Sequence, residues 1–287
     1  MAVNIGTRPG QHHGPNGSFE GCRVPYFSTL NGLLIVNPRS GRGMPDAGEL
    51  VAEARRLGIE THLLQPGEDP TGVARRASAE VLGIAGGDGS LAAVAEVALE
   101  REAAFVCVPF GTRNHFARDL GLDRDEPVAA LGAFRGTERR IDVGRADGRL
   151  FLNNVSLGVY ARLVHRRERQ RRRREALARV RAWAILLARR EPLGLTVDGE
   201  PVETRLVLIA NNAYALDFPS LGARERLDGG KLHLYLPGDE RAADRFVVDA
   251  AAGRVEAAVD GEPEVLPTPI EFRIEPRALR VLVPDGR

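Results

Sequence analysis

Four short segments carry residue types suited to chemistry on an anion. In Ile84-Ala85-Gly86-Gly87-Asp88-Gly89-Ser90-Leu91, three glycines surround one acid between an apolar run and a helix-forming run. Glycine admits close backbone approach, and the free N–H groups opening the next helix offer donors and a positive dipole end. Asn37-Pro38-Arg39-Ser40-Gly41 and Pro109-Phe110-Gly111-Thr112-Arg113-Asn114 have the same polar, glycine-containing character. Between them the three segments supply backbone N–H groups at Gly87, Gly89 and Gly111, hydroxyls at Ser40, Ser90 and Thr112, and a guanidinium at Arg113. Gly41, Gly86, Asn37 and Asn114 belong to the same candidate anion-binding set. The fourth segment, Asp260-Gly261-Glu262, brings two carboxylates; Asp-Gly between β-prone runs is equally a plain hairpin signal. The similar Asp198-Gly199-Glu200 reads as a turn only. Lys231 is the one lysine in the chain, so a Gly-Lys-Ser/Thr phosphate loop is excluded.

These segments need a frame that brings them together. Leu33 to Val36, Ile59 to Leu64, Val81 to Ala85 and Phe105 to Val108 are short apolar runs of strand length. They alternate with helical stretches ending at Leu57, covering Thr71 to Ala79, and covering Leu91 to Leu99. Such alternation predicts a parallel sheet with helices on both faces, and ligands there bind outside the carboxyl ends of the strands. Three of those ends carry the glycine-containing turns. After Ile141-Asp142-Val143 the pattern turns to short strands: 150–154, 194–197, 206–210, 231–236, 254–259, 270–274 and 279–283. The expected fold is therefore α/β plus β: a Rossmann-like parallel α/β domain over residues 30–140 and an antiparallel β-sandwich over residues 141–287, with the site in the cleft between them. The last residues are allowed to return to the first domain. Residues 1–29, rich in Gly, Pro, His and Asn, read as a disordered leader.

The chain has 287 residues, 43% of them apolar, and a formal charge of only +1. Nothing global recruits nucleic acid. The asymmetry lies between Arg162 and Arg190, where twelve arginines face two glutamates. Leu177, Val180, Trp183, Ala184 and Leu187 recur there at helical spacing, predicting a helix over about 161–190 with one apolar stripe beside a basic face. A solvated helix docked by its stripe and a helix touching anionic lipid both fit that pattern. Cys22 and Cys107 stand far apart and read as reduced thiols, which suits a cytoplasmic protein. No run approaches the ~18 apolar residues of a spanning helix.

Taken together, Asn37-Pro38-x-Ser40-Gly41, Gly86-Gly87-Asp88-Gly89-Ser90, Pro109-x-Gly111-Thr112-x-Asn114-x-Phe116-Ala117 and Asp260-Gly261-Glu262 resemble the catalytic domain of the diacylglycerol and sphingosine kinase superfamily, including its bacterial soluble lipid kinases. The resemblance spans roughly residues 31–285. It implies ATP and Mg²⁺, a lipid acceptor at the membrane surface, and peripheral attachment, and it leaves a homodimer open. It makes Asp260 the general base for the lipid hydroxyl, with Glu262 in support, and ties Asp88 and Asp142 through water to magnesium. Ser90 stands where the family usually has Thr, and His115 where many relatives have Asp. Leu227-Asp228-Gly229-Gly230 resembles a turn holding a structural metal, yet Asp228 lacks the companion acids. Two other readings remain open: a kinase for NAD or another small polyol, which would share the nucleotide turns, and a catalytically weakened nucleotide sensor.

Overall fold

The structure, a computed structural model, describes residues 31–40, 45–112, 114–158, 192–215 and 223–285. The first part alternates strand and helix: β1 (Gly32–Val36), α1 (Ala47–Arg56), β2 (Glu60–Leu63), α2 (Pro70–Arg76), β3 (Val81–Gly86), α3 (Asp88–Glu100) and β4 (Ala104–Pro109). Two short helices, α4 (His115–Asp119) and α5 (Pro127–Ala130), and a 3-10 turn at Leu131–Arg135 lead out of it. Helix starts follow local chemistry. Asp46 and Glu49 form a reciprocal capping box on α1, and the Asp69 carboxylate accepts the N–H groups of Thr71 and Gly72 ahead of Pro70–Arg76.

Strands then take over: β5 (Thr137–Ala146), β6 (Arg149–Phe151), β7 (Asn154–Gly158), β8 (Leu195–Val197), β9 (Glu200–Val202), β10 (Leu206–Asn211), β11 (Leu232–Leu236), β12 (Asp239–Ala243), β13 (Arg245–Ala250), β14 (Arg254–Val259), β15 (Glu262–Pro267) and β16 (Ile270–Val283). They form two sheets. One runs β2-β1-β3-β4-β16-β13-β8-β9, with β5 and β6 attached through β16; the other runs β12-β11-β10-β7-β14-β15. Strands β1 to β4 are parallel, and the second sheet is antiparallel throughout.

Burial on both faces explains the apolar runs of the parallel part. Leu33 and Ile35 pack with Leu82, Ile84 and Leu91 on one side, while Leu34 and Val36 pack with Leu50, Val81 and Phe134 on the other. Each such side chain removed from water contributes about 1.5–3 kcal/mol. The third cluster lies between the two sheets, joining Phe151, Phe246 and Phe272 to Leu157, Ile209 and Leu234. The architecture is thus the expected Rossmann-like α/β part with an antiparallel β-sandwich.

Several details differ from the sequence reading. β16 is one strand of 14 residues rather than two, because a bulge between Glu275 and Leu279 shifts register without ending the pairing. It meets β4 in parallel, pairing Val281 with Phe105, and so carries one sheet from the first half into the second. β5 runs unbroken through residue 140, where a boundary was expected. The segment 239–250, unassigned from sequence, forms β12 and β13. The leader at 1–29 and the arginine-rich segment at 161–190 lie outside the described residues, as do Gly41 and Arg113.

Candidate active site

Register levels the turns at one edge of the parallel strands. Val36 pairs with Ala85, Ala85 with Val108, and Gly86 with Pro109. The three turns therefore leave the sheet side by side. Asn37 N–H donates to the Ala85 carbonyl at 2.9 Å, and the Asn37 carboxamide oxygen accepts Arg39 N–H at 3.1 Å, while Ser40 N–H closes on the Asn37 carbonyl. Gly87 caps α3 and, having no side chain, makes no side-chain cap bond to the first N–H groups of the helix. Helix α3 begins at Asp88 rather than near Leu91, so the acid sits in the first turn itself.

Two glycine backbones touch here. A Cβ on Gly111 would lie 2.6 Å from the Gly87 Cα and 2.8 Å from the Asn114 Oδ1. Asn114, buried and in the left-handed region at φ 50°, accepts the Gly111 N–H at 2.8 Å and donates back to the Gly111 carbonyl at 3.1 Å. The Gly111 N–H is held by Asn114, and the Ser90 hydroxyl donates to the Gly87 carbonyl at 2.9 Å. Both groups lock turns. The exposed Thr112 is left on the rim, and His115 is exposed as the first residue of α4.

Asp260 comes from the second sheet. It occupies the β14–β15 hairpin turn at φ 47°, followed by Gly261 at φ 87°. The candidate base of the sequence reading thus sits in the hairpin turn itself. The carboxylate is buried and accepts three backbone N–H groups: Leu152 at 2.8 Å on Oδ2, then Asn153 at 2.7 Å and Asn154 at 3.1 Å on Oδ1. Burial pushes its pKa up to about 6; the three N–H groups pull the other way, and the charge of Asp88 adds to the rise. Two other Asp-Gly turns, Asp147-Gly148 and Asp198-Gly199, have the same positive φ pair but exposed carboxylates. Glu262 reaches α3: a Cβ on Gly89 would fall 2.5 Å from its Oε1. The structure therefore gathers Asp88, Asp260 and Glu262 at the N-terminus of α3.

Asp142, the other acid that the resemblance ties to magnesium through water, is held by backbone donors. Its side chain is fully buried in β5, and its oxygens accept Gly230 N–H and Arg277 N–H, each at 2.7 Å. A buried carboxylate needs such donors, and here they clamp the 227–230 turn to the bulge of β16. Asp228 faces two guanidiniums, Arg226 Nε at 3.1 Å and Arg277 Nη2 at 3.4 Å, and the Arg226 hydrogen bond lowers its pKa. Cations already surround it, so this turn does not suit a structural metal. Among the described residues no group of three His, Cys, Asp or Glu side chains converges on a metal position. Asp88 is the acid with oxygen to spare, since its Oδ1 receives Phe116 N–H at a long 3.4 Å. A hard oxygen donor of that kind fits Mg²⁺ held through water.

Sequence reasoning missed the 152–154 peptide cradle, Arg224 and Tyr214. Tyr214 accepts a 2.7 Å bond from the Asn154 carboxamide, and burial raises its pKa. Asn153-Asn154 and Asn211-Asn212, polar pairs at the ends of apolar strands, were the available signal.

Glycine turns on a parallel sheet and a buried acid carried by an antiparallel sheet define a two-part α/β plus β protein with a candidate anion site at the strand ends. The comparisons say what the chain is similar to. Residues 31–146 match the sequence model of the diacylglycerol kinase catalytic domain, which shows over that region the resemblance carried by the motifs. A Pseudomonas aeruginosa protein named "Probable lipid kinase YegS-like" is 39% identical over 142 residues, 46% of this chain and 45% of that protein. A diacylglycerol kinase of Bacillus subtilis is 30% identical over 142 residues, 46% of this chain and 47% of that protein. The matched segment thus spans about half the length of these curated relatives. In fold, a diacylglycerol kinase structure from Bacillus anthracis superposes with a TM-score of 0.67 at 21% identity, covering 90% of this chain and 98% of that one.

Proposed function

We propose that this chain is an ATP-dependent lipid kinase that moves the γ-phosphoryl group of ATP to a lipid hydroxyl, with diacylglycerol as the acceptor. The observation that carries this reading is Asp260: a buried carboxylate with its pKa raised to about 6, held by three N–H groups beside Asp88 at the open end of α3. Near neutral pH such a group is ionised yet basic enough to take a proton. The acceptor oxygen attacks the γ-phosphorus, the bond to the β-phosphate oxygen breaks, ADP leaves, and the hydroxyl proton passes to Asp260. The first N–H groups of α3 hold phosphate oxygens, and the Gly87–Gly111 contact lets the nucleotide approach the backbone. Mg²⁺, when bound, supplies charge neutralisation on the phosphates, and Asp88 is the residue that would hold it.

Relatives named as lipid and diacylglycerol kinases support the acceptor class. Among the described residues no helix is long and apolar enough to cross a membrane. The arginines between Arg162 and Arg190 supply a cationic stretch for anionic lipid. The test is an acceptor screen with ATP labelled in the γ position, offering diacylglycerol and other lipids in mixed micelles, and NAD without lipid. Label in a phospholipid supports the reading. Label in NAD, or nucleotide binding with no transfer to anything, overturns it.

A further inference from the structure

Arg224 belongs to none of the motifs, yet its side chain is fully buried, beside an Asp119 side chain only 1% exposed. The guanidinium makes four hydrogen bonds: Nε to Asp119 Oδ2 at 2.7 Å, Nη1 to the Leu152 carbonyl at 2.6 Å and the Asn211 carbonyl at 3.0 Å, and Nη2 to Asn153 Oδ1 at 2.8 Å. It also lies over the Tyr214 ring, 6.0 Å from its centre. The Leu152 carbonyl and the Asn153 N–H are two ends of one peptide unit. That N–H donates to Asp260 Oδ1 at 2.7 Å. Guanidinium, peptide and carboxylate therefore stand head to tail, and each bond polarises the next.

The other side of Arg224 leads back to the glycine turns. Asp119 closes α4, the helix that follows Asn114 and whose Phe116 N–H points at Asp88. One guanidinium thus connects the peptide holding Asp260 to the helix adjoining the Gly87–Asn114 turns. A buried ion pair is a poor source of stability compared with apolar packing, which favours a role beyond filling the core. Lysine cannot replace it, because a point charge lacks the planar fork that meets several acceptors at once.

We propose that Arg224 is a positioning residue: it fixes the 152–153 peptide that anchors Asp260 and, through Asp119, sets Asp260 in place relative to the glycine turns. Its effect on turnover rests on the kinase reading; its hold on the cradle does not. Two measurements on Arg224→Lys test it. Hydrogen exchange at the Leu152, Asn153 and Asn154 amides should be at least about tenfold faster, with β1 and β3 unchanged. Turnover should fall about 10²-fold with the KM for ATP within about threefold, as misplacement of a base requires. Unchanged exchange at those amides, or a loss seated in ATP affinity, overturns the proposal. Should Arg224→Lys fail to fold, Asp119→Asn takes its place, because it removes the charge that draws Arg224 to α4 while leaving the other acceptors. Faster exchange at the three amides then supports the proposal and unchanged exchange refutes it. If the wild type moves no phosphoryl group to lipid, the kinase reading falls, and the exchange result still decides whether Arg224 holds the cradle.

Discussion

Asp260 links catalysis to stability, and Asp260→Asn separates the two. Its carboxyl rises from the ordinary 3.8 to about 6 in the folded protein. The folded state therefore holds this proton more tightly than the unfolded chain. Below about pH 4 both states are protonated, and the group costs nothing. As pH climbs through about 6 the folded protein must bury a charge, and a penalty of ~3 kcal/mol accumulates, at 1.36 kcal/mol for each of about two pH units. Asparagine carries no such titration. Turning one acceptor oxygen into a donor against the cradle N–H groups adds a cost, but that cost is independent of pH. The stability of Asp260→Asn relative to wild type should therefore improve by about 3 kcal/mol between pH 4 and pH 8, read by urea denaturation at each pH. As the base of the proposed reaction, the same group would set the acid limb of turnover, which should fall about tenfold from pH 7 to pH 5 for a base of that pKa. A pH-independent difference in stability would refute the burial argument, as would an acid limb near pH 4.

Three further substitutions test other parts of the site. Gly111→Ala places a methyl 2.6 Å from the Gly87 Cα, so it should cost about 1–3 kcal/mol and abolish nucleotide binding measured by calorimetry. Asp142→Asn breaks one of two 2.7 Å clamps and should lower denaturation stability by about 1–3 kcal/mol while leaving the Mg²⁺ dependence of turnover unchanged, contrary to a metal-holding role. His115→Asp restores an acid at an exposed position opening α4 and should lower the Mg²⁺ concentration needed for half-maximal rate severalfold.

The glycine turns and parallel strands were legible because they are local. Leu33 to Val36 and Val81 to Ala85 are apolar without interruption, and a glycine marks each turn that follows. The cradle was not legible, because its bonds join Asp260 to residues more than 100 positions earlier, and Arg224 to Leu152 across 72. No local pattern encodes a clamp between distant strands. Asp142 shows the same limit: only the family resemblance made it a magnesium acid, and only the fold reveals the N–H groups of Gly230 and Arg277 on its carboxylate. Asp147-Gly148, Asp198-Gly199 and Asp260-Gly261 are locally equivalent turns, and burial alone sets the third apart. Glu275-Pro276-Arg277 divides β16 in sequence, while the pairing with β5 on either side makes it one strand.

The most direct test of the central claim is phosphoryl transfer in diacylglycerol-containing anionic vesicles with γ-labelled ATP and Mg²⁺, comparing wild type with Asp260→Asn. The site as described predicts labelled phosphatidic acid from the wild type and a rate about 10²–10⁴-fold lower from the variant. Equal rates from the two proteins, or no labelled lipid from a wild type that binds ATP, would contradict it.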